Sequence, residues 1–548
     1  MRTQSTFPAV LAFHAASIQA FECAASAFNG FLPSNATVNF ATTVAAGGSF
    51  NFSSLEFPAN DTGLPALCAV SINVISSTES SFNFGLFLPE IWNNRYIASG
   101  NGGFGGGINW NDMESNVLNG FAAVATDTGH LSGAFDGTWA LNKPEAIIDW
   151  GYRAMHESVV MGKHITEAYY NGAIKYSYYS GCSTGGRQGL KEVQMFPEDF
   201  DGVLAGAPAW WVSHLQPWSL EAGLWNLPVD APTHIPSTLF PIIGAEVLKQ
   251  CDPQDGLVDG IIQDPYGCDF YPEALLCTPS SNQSNCLTAP QMKTLYKFYH
   301  DWTDVNDTFV FPPYALGAEG QYGFLLGTES GVPSPLGTAW VLNFVLNTTT
   351  VDWLAEFDYS VVQLGDSLNP GHANADDFDM SPFANRGGKL IHYHGLSDGL
   401  IPTGSSIYFH KQVLATLIPK GVNVPDFYKL YLVPGMQHCQ GSVNDAPWYI
   451  AGGGQPFALG PTVSGVPGFD DTKHNALLAL MQWVEHGIAP EEIIATKYVN
   501  NTVTDGVKRQ RPLCPYPSQA RYSGTGNPDE AASWTCKDLY TVSGVTQG

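Results

Sequence analysis

Positive charge is scarce in this chain. Lys and Arg number 23 among 548 residues against 50 Asp and Glu, a formal net charge of −27. A surface so poor in cations argues against nucleic acid or anionic membrane as a partner, since both need basic patches. Charge of either sign is sparse, at 13%, so Ser, Thr, Asn and Gly must cover much of the surface. Long hydrophobic runs are missing too: no apolar stretch reaches the ~20 residues of a membrane span. The Gly-rich stretch Gly100-Asn101-Gly102-Gly103-Phe104-Gly105-Gly106-Gly107 has no Lys, Ser or Thr after it in P-loop spacing, which counts against a phosphate cradle.

Material for a large core is plentiful. The chain is 44% hydrophobic, with 14 Trp, 23 Tyr and 31 Phe, enough for one to three domains. Its ten cysteines are an even number. Asn-x-Ser/Thr sequons stand at Asn35, Asn51, Asn60, Asn282, Asn306, Asn347 and Asn500. Phe7 to Ala20 is mostly small and apolar behind Arg2, as in a signal peptide cut near Ala20, although His14 interrupts the apolar run. Together these features predict a secreted, glycosylated, disulfide-bonded protein whose residues 1–20 are a leader.

The most informative stretch is Tyr178-Tyr179-Ser180-Gly181-Cys182-Ser183-Thr184-Gly185-Gly186-Arg187-Gln188-Gly189. An aromatic strand passes through small residues into a helical pattern. Gly181-Cys182-Ser183-Thr184-Gly185 fits the nucleophile elbow Gly-x-Ser-x-Gly, in which the apex serine is exposed and the next N–H, from Thr184, faces a developing oxyanion. A plain Gly-rich turn is the competing reading. Before the elbow, Phe82–Leu88, Arg95–Ala98 and Phe121–Thr126 read as strands and Ile147–Tyr170 as a helix. After it, Phe200 to Pro208 reads as the next buried strand and its loop. Strand and helix alternate as in an α/β fold with a mainly parallel sheet. The loop at Gly102 and Gly103, just after an early strand, is positioned to give the second oxyanion N–H; a flexible surface loop is the alternative.

From about Trp210 to Ala375 the alternation fades and aromatics cluster, which predicts an insertion placed to cover a site. It contains Cys251-Asp252-Pro253-Gln254-Asp255-Gly256-Leu257-Val258-Asp259-Gly260-Ile261. Three carboxylates between tight turns suit a hard cation such as Ca²⁺, although the spacing is not that of an EF-hand. Acidic turns capped by their own Asp side chains are the other reading. The α/β pattern resumes in the stretch from Gly388 to Pro402, where a buried strand ends in a loop carrying Asp398. Tyr428–Val433 follows and ends before His438-Cys439, and Ala476–His486 is an amphipathic helix. Bridges Cys23–Cys68, Cys251–Cys268, Cys277–Cys286 and Cys514–Cys536 are expected.

Ser183, Asp398 and His438 each follow a predicted strand, in the Ser…Asp…His order of α/β-hydrolases. His438 would take the Ser183 proton and Asp398 would fix the imidazole. His392 and His394 are rival bases within a predicted strand, where packing is the expected role. Asp127 and Asp201 are rival acids. Cys182 directly precedes the serine and Cys439 directly follows the histidine, so a bridge between them would hold nucleophile and base side by side. A free reactive thiol at Cys182 competes with that reading.

This Cys-Ser…Asp…His-Cys arrangement resembles the tannase and feruloyl esterase family of secreted esterases, across nearly the whole chain. The resemblance implies an α/β-hydrolase fold with a large inserted lid: residues 21–209 and 376–548 as the catalytic part, 210–375 as the lid. It implies a structural Ca²⁺ held by Asp252, Asp255 and Asp259 through side chains and by Leu257 and Ile261 through backbone carbonyls. It also implies hydrolysis of phenolic-acid esters. A feruloyl or hydroxycinnamoyl ester of cell-wall sugar is expected first, on a small phenolic ester or a feruloylated oligosaccharide, and a galloyl ester second. A homodimer is compatible with it. The reading from another class, a silent carbohydrate-binding protein, fits the Trp content but leaves the triad unexplained.

Overall fold

The computed structural model describes residues 22–52, 55–57, 61–279, 283–326, 330–460 and 462–538. The expected leader and the sequon residues Asn60 and Asn282 lie outside them. The other five sequon asparagines are exposed.

Nine strands form the central sheet: β1 (Ala36–Val44), β2 (Leu67–Ile75), β3 (Ser81–Pro89), β4 (Arg95–Ser99), β5 (Ala122–Thr126), β6 (Tyr176–Cys182), β7 (Gly202–Gly206), β8 (Lys389–Gly395) and β9 (Tyr428–Val433). They lie in the order β1-β2-β3-β5-β4-β6-β7-β8-β9. Pairing is antiparallel from β1 to β5 and parallel from β5 to β9. The parallel part reads as near-continuous apolar runs because both of its faces are covered. Tyr179, Val203, Leu390 and Leu430 face one core, whereas Tyr178, Leu204, Ile391 and Tyr431 face the other, with the period of two that a pleated strand imposes.

Helix α1 (Trp110–Val117) covers the second face together with α5 (Ala476–His486). Helices α2 (Ala154–Tyr170), α3 (Thr184–Met195) and α4 (Gly404–Leu417) cover the first. The helical stretch expected from Ile147 is continuous with α2 through a π-helical turn at Asp149–Arg153. No described helix is long and apolar enough to cross a membrane.

Register decides where the site lies. Cys182 pairs with Gly206, Gly206 with Tyr393, and Gly395 with Val433. The loops leaving β6, β8 and β9 therefore emerge along one edge, the carboxyl ends of the strands, where ligands bind in open α/β sheets.

Among the described residues, 210–375 add no strand to this sheet. Their helices, including Val212–Trp225, Phe240–Cys251 and Ala289–Phe298, close around Trp218, Ile243, Leu295 and Tyr322. A second cluster sets Trp340 and Phe344 against Phe104 and Trp150 of the sheet layer. At the N-terminus a segment rich in Ser, Thr and Asn supplies the edge strand β1. Cys68 on neighbouring β2 is bridged to Cys23.

Candidate active site

Ser183 sits between β6 and α3 with φ 65° and ψ −123°, a strained conformation for a residue with a side chain. The turn is held by its own backbone: Ser183 N–H donates to Gly206 O at 3.0 Å, and Ser183 O accepts from Arg187 N–H at 3.0 Å and Ala209 N–H at 3.1 Å. Glycine is required where strand and helix meet, since a Cβ on Gly186 would lie 2.2 Å from Gly206 O. Gly102 and Gly103 line the same cavity as Ser183. The Thr184 hydroxyl donates to Gly103 O at 2.8 Å, so the elbow and the Gly-rich loop are tied together. Beneath them, Asn101 N–H donates to Gln188 Oε1 at 2.9 Å and Gln188 Nε2 returns a bond to Asn101 Oδ1 at 3.1 Å.

The acid is completely buried. Asp398 Oδ1 accepts from Leu400 N–H at 2.9 Å and Ile401 N–H at 2.8 Å. Its Oδ2 lies 2.7 Å from His438 Nδ1 and 3.1 Å from His394 Nε2. Burial by itself would raise this carboxyl; the charge of His438 and hydrogen bonds from both histidines outweigh it and hold Asp398 below the usual carboxylate range. The rival acids are engaged elsewhere, Asp127 by Asn83 and Gly129, Asp201 by Ser177 and Arg386. His394, read as a packing residue, instead touches the carboxylate of the candidate triad.

Cys182 and Cys439 are bridged across 257 residues of sequence, with their Cα atoms 6.0 Å apart. No described cysteine is free, and the other four pairs are the expected ones. Ser183 and His438 thus border one cavity of about 570 Å³. Its walls carry Phe57, Phe135, Phe324, Leu336, Leu400 and Phe457, with acceptor groups at Glu56 and Asp112. Burial pushes Asp112 up to about 6 against hydrogen bonds from Asn109 and Gly454, and burial likewise raises Glu56 against the Ala134 N–H.

Two glutamines complete the frame. Gln321, in the 210–375 segment, accepts through Oε1 from Gly399 N–H at 2.9 Å and His438 N–H at 3.1 Å, pinning the acid loop to the base loop. Gln455 is buried and donates to Cys439 O at 3.0 Å while accepting from Ile450 and Gly452 N–H. Nothing local in the sequence marks either one.

In the loop after Cys251, Asp252 accepts from Asp259 and Gly260 N–H, Asp255 from Leu257 N–H, and Asp259 from Ile261 N–H. The Asp255 and Asp259 bonds are Asx turns, whereas those of Asp252 reach seven and eight residues along the loop. However, Asp255 Oδ2 is buried with no partner, and burial, offset by the Leu257 N–H but reinforced by the charges of Asp259 and Asp252, raises its carboxyl. An all-oxygen set with an orphaned carboxylate oxygen fits a hard cation. The three carboxylates are not gathered within 4.8 Å of one another, and Asp259 Oδ2 instead meets Arg511 at 2.5 Å.

Sheet order, elbow and an acid–base pair on consecutive strand ends define the class as an α/β-hydrolase. A family model described as "Tannase and feruloyl esterase" matches residues 68–537. A probable feruloyl esterase B-1 of Aspergillus oryzae is 35% identical over 511 residues, covering 92% of this chain and 90% of the relative. The crystal structure of feruloyl esterase B from Aspergillus oryzae superposes with a TM-score of 0.85 at 33% identity, over 94% of this chain and 99% of that one. Tannin acyl hydrolase from Aspergillus niger shares the fold, with a TM-score of 0.71 at 22% identity over 94% and 95% of the two chains. The chain belongs to the tannase and feruloyl esterase family and is a carboxylic-ester hydrolase.

Proposed function

We propose that the protein is a secreted serine esterase that releases hydroxycinnamic acids from plant cell-wall sugars. Ser183 Oγ attacks the ester carbonyl as His438 takes its proton. N–H groups of Thr184 and of the Gly102–Gly103 turn receive the oxyanion. The tetrahedral intermediate collapses and expels the sugar alcohol, which takes the proton back from His438. Water, deprotonated by the same imidazole, then attacks the acyl-Ser183 ester, frees the acid and restores the serine. Asp398 holds His438 in the tautomer that leaves Nε2 free to accept.

The observation that carries the substrate choice is the cavity itself. Phenylalanine-rich walls suit the flat, extended cinnamoyl group, and Glu56 and Asp112 are acceptors for phenolic hydroxyls. A galloyl group, shorter and with three hydroxyls, would leave the apolar length unfilled. The names of the relatives point the same way. Residues 210–375, which place Gln321, Phe324 and Leu336 at the cavity, act as its lid. The Asp252–Ile261 loop would hold a structural Ca²⁺ in that lid, with Asp252, Asp255 and Asp259 as side-chain ligands, Asp259 sharing its charge with Arg511, and Leu257 and Ile261 giving carbonyl oxygens. Five disulfides and the apolar leader support export.

Initial rates on methyl ferulate, caffeate, sinapate and gallate test the reading. Hydroxycinnamates should exceed gallate in kcat/KM by at least ~10-fold. Preference for gallate would move the assignment to tannin hydrolysis.

A further inference from the structure

Behind Asp398 runs an unbroken line of buried polar groups. His394 Nε2 is 3.1 Å from Asp398 Oδ2 and 2.9 Å from Ile401 O. His394 Nδ1 is 2.6 Å from Ser406 Oγ, which is 2.8 Å from His392 Nε2, and His392 Nδ1 is 2.9 Å from the Tyr428 hydroxyl. None of these side chains is more than 1% exposed. The partners assign the protons. A carbonyl only accepts, so His394 Nε2 carries hydrogen. With His394 neutral, its Nδ1 accepts from the Ser406 hydroxyl. Ser406 Oγ accepts from His392 Nε2–H, and His392 Nδ1 accepts from Tyr428. Every donor then points toward Asp398, and such a chain of aligned dipoles strengthens its last bond. The reverse order would place a charged imidazolium at His394 in the dry core. Of the ionisable groups around the line, His410 and His394 oppose charge on His392, and Tyr266 and Tyr314 stand near Asp398.

We propose that His394 is a positioning residue of the ester-hydrolysing site: its Nε2–H, fixed on that nitrogen by Ser406 and His392 behind it, is the second donor that holds the Asp398 carboxylate in line with His438. This rests on the Ser183–His438–Asp398 reading. The geometry gives His394 no route to Ser183 except through Asp398 and His438, so it acts on orientation and charge, not on the ester.

Variants measured on methyl ferulate test it. His394→Leu should lower kcat about 10-fold with KM within roughly twofold, because a charge-assisted bond is lost at the acid. The acid limb of kcat/KM should also move up by about half a pH unit, since a carboxylate with one donor fewer better stabilises the His438 imidazolium. His394→Gln, which presents an amide donor in place of Nε2–H, should restore kcat to within about threefold. Ser406→Ala should fall between them, and His394→Leu/Ser406→Ala should be no slower than His394→Leu, because both break one line. Wild-type kcat and acid limb in a folded His394→Leu protein would overturn the proposal, whatever its Tm. Should that variant not fold, Gln against Asn at position 394 decides: the shorter amide should be slower at matched Tm, and equal rates overturn the proposal. His438→Ala separates the two levels. If it keeps turnover, the triad reading falls and takes this one with it. If it abolishes turnover while His394→Leu is unaffected, only the role of His394 is overturned.

Discussion

Two carboxylates in this protein, one fully buried and one half-buried, are treated in opposite ways. Asp398 receives four donors, two from its own loop and two from histidines, and its carboxyl is held down. Asp255 receives one backbone N–H, keeps an orphaned oxygen beside two further aspartates, and its carboxyl is pushed up. A protein that must use a negative charge in its own chemistry supplies the partners itself. A loop that leaves a carboxylate oxygen without a hydrogen bond, with Arg511 offsetting only part of its charge, has room for a partner from outside. The first arrangement suits a triad acid and the second a cation site.

Asparagine at each position should break the comparison most sharply. Asp398→Asn should cut kcat by roughly 10⁴-fold, because an amide cannot stabilise the imidazolium and favours the wrong tautomer. Asp255→Asn should leave kcat on methyl ferulate within about twofold. Similar losses in the two variants would mean that the difference in partners has no functional meaning. Asp398 also gives the sign of an acid effect. Its folded pKa is depressed, so its stabilisation is present above the ordinary carboxylate range and is lost as pH falls through that range and below.

Next in size is the bridge. Replacing both Cys182 and Cys439 by Ala should lower kcat at least ~10-fold at a temperature where the variant is folded, because a ~1 Å shift between Ser183 and His438 can cost about a hundredfold. Full kcat with an earlier melt would reduce the bridge to a staple. Gln321→Leu should follow, at about 3–10-fold in kcat, since two N–H groups of the acid and base loops lose their common acceptor. Unchanged kcat there would make the contact of Gln321 with the His438 loop incidental.

The smallest effect falls on the loop. Chelation should lower Tm by a few degrees, about 1–2 kcal/mol in a chain this size, before activity falls. The sign with pH follows from Asp255. A raised carboxyl stabilises the metal-free fold in acid and loses that contribution as pH rises through its folded pKa. The Tm difference between calcium-loaded and chelated protein should therefore be larger at pH 7 than at pH 5. Equal differences, or no calcium in the purified protein by metal analysis, would remove the cation from the loop.

What could be read from the sequence follows from distance along the chain. The elbow is local: Gly181, Ser183 and Gly185 are adjacent, and their spacing carries the geometry. The Asp398–His438 pair was legible because each residue follows an apolar strand, and the cysteine beside Ser183 and the one beside His438 tied distant segments together. Gln321 was invisible because its partners, Gly399 and His438, lie 78 and 117 residues away and no pattern marks a lone glutamine. Arg511 could not be foreseen at Asp259, since the C-terminal strands that bring it there are 252 residues further on. The contact of His394 with Asp398 was hidden for a different reason. A histidine within an apolar strand reads as packing until the loop after the strand folds back over it. The edge strand β1 lacks clean alternation in its sequence, in keeping with its patchy burial, so nothing local marks its place in the central sheet.

The most direct test is covalent labelling of the folded protein with a serine-directed fluorophosphonate, followed by intact and peptide mass spectrometry. One adduct per chain is expected, on the peptide containing Ser183, absent from Ser183→Ala and formed at least ~100-fold more slowly in His438→Ala. Labelling that persists in Ser183→Ala, or turnover of methyl ferulate by that variant within tenfold of wild type, would contradict the account.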